Sequence, residues 1–359
     1  MTKQKIENTA LLIAHLGNPS QCPRASRLIS HARKKGLQVV RLCEGSSTGH
    51  ASISRSSKNI FRLGNAILLT FGFFSFYLRL KFKLKHAPGP EITSVIVHDI
   101  LILPLIRQAY PSAHLVLDAR EYFPREFEHS LIWRLSSGRL VDWICRNYLK
   151  KVDAAYTVSK GIAREYKRVY GCEMEVAYSF PDEARLSVGP VKSPVRLVYH
   201  GNASRDRCIE KMIDAVEGLE YQATLDLYLV TVDPKYHGFL RRMAQDVSNV
   251  RIIEPVDQLR IVDVLNTYDV GLFVPPPSTF NLQFSLPNKL FEYIQARLMI
   301  VVTPLSEVSK FVRENNVGLI VPDFSAAALR ELLENLSSSE IESFKEKSHV
   351  VAPEFVSKK

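Results

Sequence analysis

The 359-residue sequence predicts an α/β protein of two doubly wound, Rossmann-like domains facing a cleft. Three observations carry that expectation. Apolar, strand-like runs alternate with helix-like segments in both halves; the alternation restarts after a linker at Phe180–Pro194 that holds Pro181, Gly189, Pro190 and Pro194; and the length suits two domains. The expected division is 1–185, 186–340 and a tail or helix at 341–359 that packs back on the first domain.

The first half opens with a strand at Ala10–Leu16, a Gly17-Asn18-Pro19-Ser20 turn, a helix over Pro23–Lys35 closed by Gly36, and a strand at Leu37–Leu42. That β–loop–α–β unit is the usual start of a doubly wound sheet. Further strands are expected at Ser94–Val97, Leu115–Leu117, Ala155–Val158 and Met174–Ala177, with helices at Leu101–Tyr110, Ser130–Lys151 and Lys160–Tyr170. The last of these begins after Ser159, a good N-cap, and ends before Gly171.

After the linker the expected strands are Val195–Tyr199, Thr224–Thr231, Val250–Ile253, Val270–Val274, Met299–Val302 and Gly318–Val321. Helices are expected at Arg207–Gly218, Tyr236–Val247, Leu259–Thr267 and Ser325–Leu336. One more follows the Pro287-Asn288 turn, where Leu290, Phe291, Ile294 and Leu298 form an apolar stripe. Lys289 and Glu292 then sit in the first turn of a loop–helix–strand unit, where free N–H groups and the dipole attract phosphate and a carboxylate can hold ribose hydroxyls. On spacing alone Glu292 reads either as a solvated helix residue or as a ligand.

Composition is globular, at 46% hydrophobic and 23% charged, with no low-complexity tract or repeat. Five scattered cysteines without C-x-x-C spacing fit a reducing compartment and argue against a zinc site or disulfide framework. The N-terminus lacks the long apolar core and cleavage site of a secretory signal. Net charge is +10, but up to Arg185 it is +13 (28 Lys and Arg against 15 Asp and Glu) and from Leu186 onward it is −3 (19 against 22). Only the first half is therefore expected to meet a polyanion, with nucleic acid and an anionic membrane surface as candidates. Nucleic acid is set aside, because the sequence has no zinc spacing, base-stacking motif or basic reading helix. The thirteen-residue run Ala66–Leu78 lies between Arg62 and the basic residues Arg79, Lys81, Lys83 and Lys85. It is too short to span a bilayer, for which roughly 20 residues are needed. It reads either as an interior helix or as an interfacial one that places 62–85 on anionic lipid.

The segment Ser285–Pro304, SLPNKLFEYIQARLMIVVTP, resembles the donor-site helix of B-type (GT-B), retaining nucleotide-sugar glycosyltransferases, in particular glycosyltransferase family 4. Six other segments extend the resemblance over most of the chain. They are Pro23-Arg24, His98-Asp99 with Leu103-Pro104, the loop Asp118 to Pro124, Asp153 to Gly161, Gly201-Asn202, and Tyr268 to Leu272. The resemblance implies a donor site at Gly17, Gly201, Asn202, Arg205, Arg207, Asn288, Lys289 and Glu292, with Glu292 on the ribose of the donor nucleotide. Many relatives carry a second glutamate eight positions earlier that contacts the donor sugar; here it is Phe284.

His98 and Asp99 follow a buried strand at the carboxyl edge where ligands bind, and Asp118, Arg120 and Glu121 follow another. His98 either takes a proton from the acceptor hydroxyl or bonds the donor sugar, or ties down its own loop. Where relatives have histidine in place of Arg120, it contacts the donor sugar; arginine cannot act as a base, so here phosphate or acceptor binding is expected. Glu121 is either a base or the partner of Arg120. His98, Asp99, Arg120 and Glu121 are thus the catalytic candidates, and Arg205, Arg207 and Lys289 the cations for a leaving diphosphate. Arg205 and Arg207 read equally as an exposed loop pair. No D-x-D metal pair is present in this reading, so no metal or cofactor is expected. The expected reaction moves a sugar from a nucleotide-sugar donor to a lipid-linked or polysaccharide acceptor at the cytoplasmic membrane face. The alternatives are a nucleotide-sugar epimerase of the same fold and a non-catalytic relative.

Overall fold

The computed structural model describes residues 9–17, 22–44, 51–55, 68–86, 89–258 and 260–357. Asn18, Pro19 and Ser20 of the expected turn, residues 62–67 of the basic apolar stretch, Leu259 at an expected helix start and 358–359 of the tail lie outside them. The chain falls into two compact units, Met1–Tyr178 with Lys359, and Ser179–Lys358.

In unit 1, β1 (Thr9–Ala14) leads through α1 (Pro23–Lys34) to β2 (Val39–Leu42). An antiparallel ribbon follows, β3 (Ala51–Arg55) paired with β4 (Phe82–His86), and α2 (Phe74–Lys81) runs directly into β4. The sequence from Lys81 to Lys85 alternates cation and apolar residue, a period-2 pattern, and from Phe82 onward it forms strand β4. The alternation then resumes with β5 (Glu91–Val97), α3 (Leu103–Ala109) and β6 (His114–Ala119). After it come α4 (Leu131–Leu135), α5 (Ser137–Tyr148), β7 (Ala154–Thr157), α6 (Lys160–Tyr170) and β8 (Glu175–Val176). The sheet is parallel in the order β2-β1-β5-β6-β7-β8. Leu12, Ile13, Val95, Val97, Leu115 and Leu117 fill its interior. Each such side chain contributes about 2 kcal/mol by leaving water. On α1, Ala25 and Ile29 pack with Cys22 on Ile13.

The single helix expected over Ser130–Lys151 is two helices broken at Ser136 (φ −118°, ψ −93°). The Ser136 hydroxyl donates to Ile132 O at 2.6 Å, and the Trp133 ring folds over Gly138, where a Cβ would stand 2.9 Å from it. α6 keeps its expected bounds, with Ser159 Oγ accepting from Ile162 N at 3.2 Å.

In unit 2, β9 (Val195–Ala203), α7 (Glu210–Val216), β10 (Ala223–Thr231), α8 (Pro234–Gln245) and β11 (Val250–Ile253) form one half. The other half is α9 (Ile261–Leu265), β12 (Val270–Phe273), α10 (Phe280–Phe284), α11 (Asn288–Gln295), β13 (Met299–Val302), α12 (Ser306–Asn315) and β14 (Gly318–Ile320). Two helices close the unit, α13 (Ala326–Glu334) and α14 (Ser338–Val351). Its sheet is parallel in the order β11-β10-β9-β12-β13-β14, which reverses direction between β9 and β12.

Three expectations change here. β9 runs four residues further than its apolar core, so Gly201 and Asn202 lie on the strand end and not in a loop. α11 is buried on every side from Leu290 to Gln295, not along one stripe, because strand and helices cover it together. The tail expected on the first domain belongs to unit 2: Lys345 of α14 donates to Asp269 Oδ1 at 2.9 Å, and Ser348 Oγ to Leu298 O at 2.7 Å. Asp269, buried with Lys345, also accepts from the Arg196 amide at 3.0 Å and so pins the starts of β9 and β12.

Candidate active site

Open parallel sheets bind ligands beyond the carboxyl ends of the strands where the strand order reverses. In unit 2 that position lies at the ends of β9 and β12, and α11 points its first turn there. The placement of α11 depends on Gly271 of β12: a Cβ would stand 2.5 Å from the Tyr293 ring, so only glycine lets the helix sit this close. Tyr293 then donates to Leu272 O at 3.1 Å. Pro287 gives α11 no side-chain cap, so the orphan amides of the first turn face the site without one.

Lys289 is the centre of the arrangement. Its Nζ lies 4.2 Å from the centroid of the Tyr199 ring and 5.2 Å from that of Phe273. Gly201, at φ +136°, leaves the space it occupies, since a Cβ there would be 3.0 Å from Nζ. Burial, followed by the charge of Arg207, brings the Lys289 ammonium down to about 7 against the partial support of Glu292 and Asp206. Glu292 is 5% exposed, and its Oε2 lies 3.3 Å from His200 Nε2. His200 is pushed down to about 3, by burial and then by Lys289, so the imidazole is neutral and the contact is not an ion pair. The Tyr199 hydroxyl and His200 Nε2 are buried without an aligned hydrogen-bond partner.

The structure thus brings Gly201, Arg207, Lys289 and Glu292 together. Arg207 lies in a 3-10 turn, Arg205–Arg207, and not at the start of a helix as expected; Cys208 at φ +47° separates that turn from α7. Its Nε is 3.4 Å from Asp206 Oδ2. Arg205 is committed elsewhere, to Asp233 Oδ2 at 3.1 Å and over the Tyr236 ring at 5.4 Å. Asn202 is exposed at the end of β9, and Asn288 is the first residue of α11. Glu292 falls in the second turn, one residue deeper than expected.

In unit 1 the order reverses between β1 and β5. His98 and Asp99 follow β5, and His15, Leu16 and Gly17 (φ +79°) follow β1. Asp99 ties three segments together, accepting from Leu16 N at 2.6 Å and from Arg120 Nη2 at 2.9 Å. Arg120, expected on a phosphate or acceptor, is therefore paired within its own unit. Asp118 accepts a bidentate pair from Arg24, Nε at 2.5 Å and Nη2 at 2.7 Å. Burial raises the Asp118 carboxyl, and His98 with Arg24 outweighs it, holding the group below the usual range. His98 Nδ1 lies 3.1 Å from Asp118 Oδ2, off the line of a good hydrogen bond, and Nε2 is buried with no partner. Glu121 hydrogen-bonds Glu126, whose carboxyl is pushed up to about 8, first by burial and then by the Glu121 charge.

Sequence reasoning missed His200, Tyr199, Glu126, His15 and Arg41. Arg41 Nε donates to His15 Nε2 at 3.0 Å, which leaves Nδ1 to donate to Leu16 O at 2.9 Å. A signal existed for both histidines, since each ends an apolar run, His15 just after β1 and His200 within β9, as His98 does after β5. All five cysteines are free.

Residues 194–339 match the family model described as Glycosyl transferases group 1. Among solved structures the chain is similar to a sucrose-phosphate synthase from Thermosynechococcus elongatus (TM-score 0.68, 11% identity, 96% of this chain and 94% of that one). It is likewise similar to a UDP-forming α,α-trehalose-phosphate synthase from Burkholderia vietnamiensis (TM-score 0.64, 10% identity, 96% of each chain). A third is a trehalose-6-phosphate protein from E. coli bound with UDP-2-fluoro glucose (TM-score 0.61, 11% identity, 96% of each chain). At these identities the likeness speaks for the fold. No curated protein matches the sequence.

Proposed function

We propose that this chain, whose fold is of the GT-B type and whose residues 194–339 match the Glycosyl transferases group 1 model, is a glycosyltransferase that moves a sugar from a nucleotide-diphosphate donor to a lipid-linked or polysaccharide acceptor. The observation that carries the donor half is the cation pair Lys289 and Arg207 beside the open first turn of α11, with the Glu292 carboxylate behind it. A diphosphate over that tip meets a helix N-terminus and two cations in a desolvated setting, where they stabilise the charge that grows on the departing phosphate. One such contact contributes about 3 kcal/mol to the transition state. Phosphate binding also returns Lys289 to its charged form. Glu292 accepts from the ribose hydroxyls, and His200 beside it, being neutral, forms no ion pair with it.

On the acceptor side, His98 stands between Asp118 and a buried, unpartnered Nε2 that can take a hydroxyl proton. Metal independence and retention at the anomeric carbon complete the reading and rest on the motif resemblance. For the acceptor, support comes from the apolar, basic stretch 62–85, which we place on the cytoplasmic face of an anionic membrane. Among the described residues no helix is long and apolar enough to cross a bilayer. Two of the structural neighbours are named as a trehalose-phosphate synthase and a sucrose-phosphate synthase, which supports a second acceptor class, soluble sugar phosphates.

Calorimetric titration of UDP, GDP and ADP tests the donor site; binding by none removes it. Sugar transfer in the presence of EDTA, with lipid-linked and sugar-phosphate acceptors run in parallel and the product anomer read by NMR, tests the rest. Transfer only to sugar phosphate would displace the lipid or polysaccharide acceptor. An inverted product would displace retention.

A further inference from the structure

The apolar stretch of unit 1 divides into a part that packs and a part that does not. On α2, Phe74 and Leu78 are buried, whereas Phe73, Phe76 and Leu80 are 59%, 56% and 38% exposed and Phe71 just before them is 72% exposed. Phe74 and Leu78 are four residues apart and face the unit. Phe73, Phe76 and Leu80, at i, i+3 and i+7, form a second stripe on nearly the opposite side. A helix apolar on two faces has one face without protein cover.

A second element shares this character. α4 reads Leu-Ile-Trp-Arg-Leu and has no buried residue; Leu131, Ile132 and Leu135 are 59%, 81% and 60% exposed. Both elements adjoin α5, which follows α4 directly in the chain. Arg139 of α5 donates to Thr70 O at 3.0 Å, and the Phe74 ring lies 5.6 Å from that of Trp143 on α5.

Charge indicates what covers them. From Glu44 to Glu91 the chain has no acidic residue in between and seven Lys or Arg; from Glu128 to Asp142 it has again no acidic residue and carries Arg134 and Arg139. Arg79, Lys83, Lys85 and Arg134 are exposed around the apolar side chains. Ser75 and Arg79, one turn apart on the flank of α2, border a cavity of about 260 Å³ that Arg107 and Lys151 also line. That flank lies between the buried and the exposed stripes, at the depth a headgroup would take if the outer stripe entered lipid.

We propose that α4 and the outer stripe of α2 form a two-pronged wedge that inserts into the interfacial layer of an anionic bilayer, with Arg79, Arg134, Lys83 and Lys85 on its headgroups. This rests on the membrane reading above and extends it to an element outside 62–85. Exposed apolar residues ringed only by cations fit anionic lipid, and they fit an ordinary protein partner poorly.

The test is sedimentation of the full chain with phosphatidylcholine vesicles with and without phosphatidylglycerol. We compare wild type, Ile132→Asp/Leu135→Asp, Phe73→Asp/Phe76→Asp and the milder Ile132→Ser. Each Asp pair is expected to lower the partition coefficient about tenfold or more by removing apolar insertion, and Ile132→Ser by a smaller factor. Binding is expected to require phosphatidylglycerol, with far-UV spectra and thermal midpoints unchanged. Wild type that ignores both vesicle types overturns the membrane reading and the wedge together. Loss of binding in the α2 pair with full binding in both α4 variants overturns the wedge alone. A dimer in the absence of lipid, dissolved by the α4 pair, overturns it by assigning the face to a second copy.

Discussion

Lys289 is held at a cost to the empty protein, and that cost can be measured. Its ammonium falls from 10.5 to about 7, chiefly by burial. At 1.36 kcal/mol per pKa step that is about 5 kcal/mol, and discounting for the partial exposure of the side chain leaves about 2 kcal/mol. Lys289→Met keeps the stem on Tyr199 and Phe273 and removes the charge, so the variant is predicted to be more stable than wild type by roughly that amount at pH 6. Because the folded group has the lower pKa, the unfolded chain binds more protons between pH 7 and 10.5, and wild-type stability gains with pH across that window. The advantage of the variant should therefore be full below pH 7 and shrink toward pH 10. Urea titrations of both proteins at pH 6, 8 and 10 measure it. A nucleoside diphosphate should raise the melting point of wild type and leave the variant unmoved. In wild type its affinity should be flat below pH 7 and fall above it, by up to about tenfold per pH unit, as the free enzyme loses the proton that the phosphate needs. A variant no more stable than wild type at pH 6, or still stabilised by the nucleotide, would refute the assignment of Lys289 as a strained phosphate ligand.

Gly201→Ala forces φ +136° on a residue with a Cβ and crowds Lys289 Nζ from 3.0 Å. We predict a loss of about 1–3 kcal/mol in stability and a clear loss of nucleotide affinity by calorimetry; unchanged affinity would show that Lys289 does not need its seat. Glu292→Gln keeps the volume and removes the carboxylate, so the donor KM should rise about tenfold with little change in melting point, an effect the size of one lost charged hydrogen bond. An unaltered KM would take Glu292 out of the site. Asp118→Asn breaks the bidentate pair with Arg24, a partly buried cation, and should destabilise unit 1 by about 3 kcal/mol at neutral pH. The Asp118 pKa is depressed, so its contribution is present above 3.8 and lost as pH falls through the folded value. Wild type and variant should therefore converge as acid protonates the folded carboxylate, and a gap between their denaturation curves that does not shrink as pH falls would contradict this.

The strands were the most legible part of the chain, because parallel strands covered on both faces are nearly continuous apolar runs; Val250–Ile253 and Met299–Val302 keep their expected bounds. Helices were legible where a cap announces them, as Ser159 and Gly171 do for α6. α10 and α12 went unread, α10 because five residues are too short to show a period; α14 overlaps the tail or helix expected at 341–359 but starts earlier, at Ser338. The break at Ser136 depends on Trp133 covering Gly138, a contact that no periodicity reports. At the proposed donor site the P-N-K-x-F-E-Y string pointed to Lys289 and Glu292, since local spacing determines which residues share a helix tip. It did not reveal Tyr199, His200 or the closeness of Gly201, which arise only when β9 is laid beside the start of α11. Glu126 escaped because its raised carboxyl depends on the neighbouring Glu121 and on burial, neither visible in composition.

The buried Lys345–Asp269 pair sets a limit on where this protein can be cut. The region that matches the Glycosyl transferases group 1 model ends at residue 339, at the very beginning of α14. A fragment trimmed to that border would strip the ammonium from Asp269 and the fastenings from Leu298 and Gln295. Unit 2 would then lose the brace under the helix that presents Lys289, so the smallest piece worth expressing extends through the last helix and not merely through its recognisable portion.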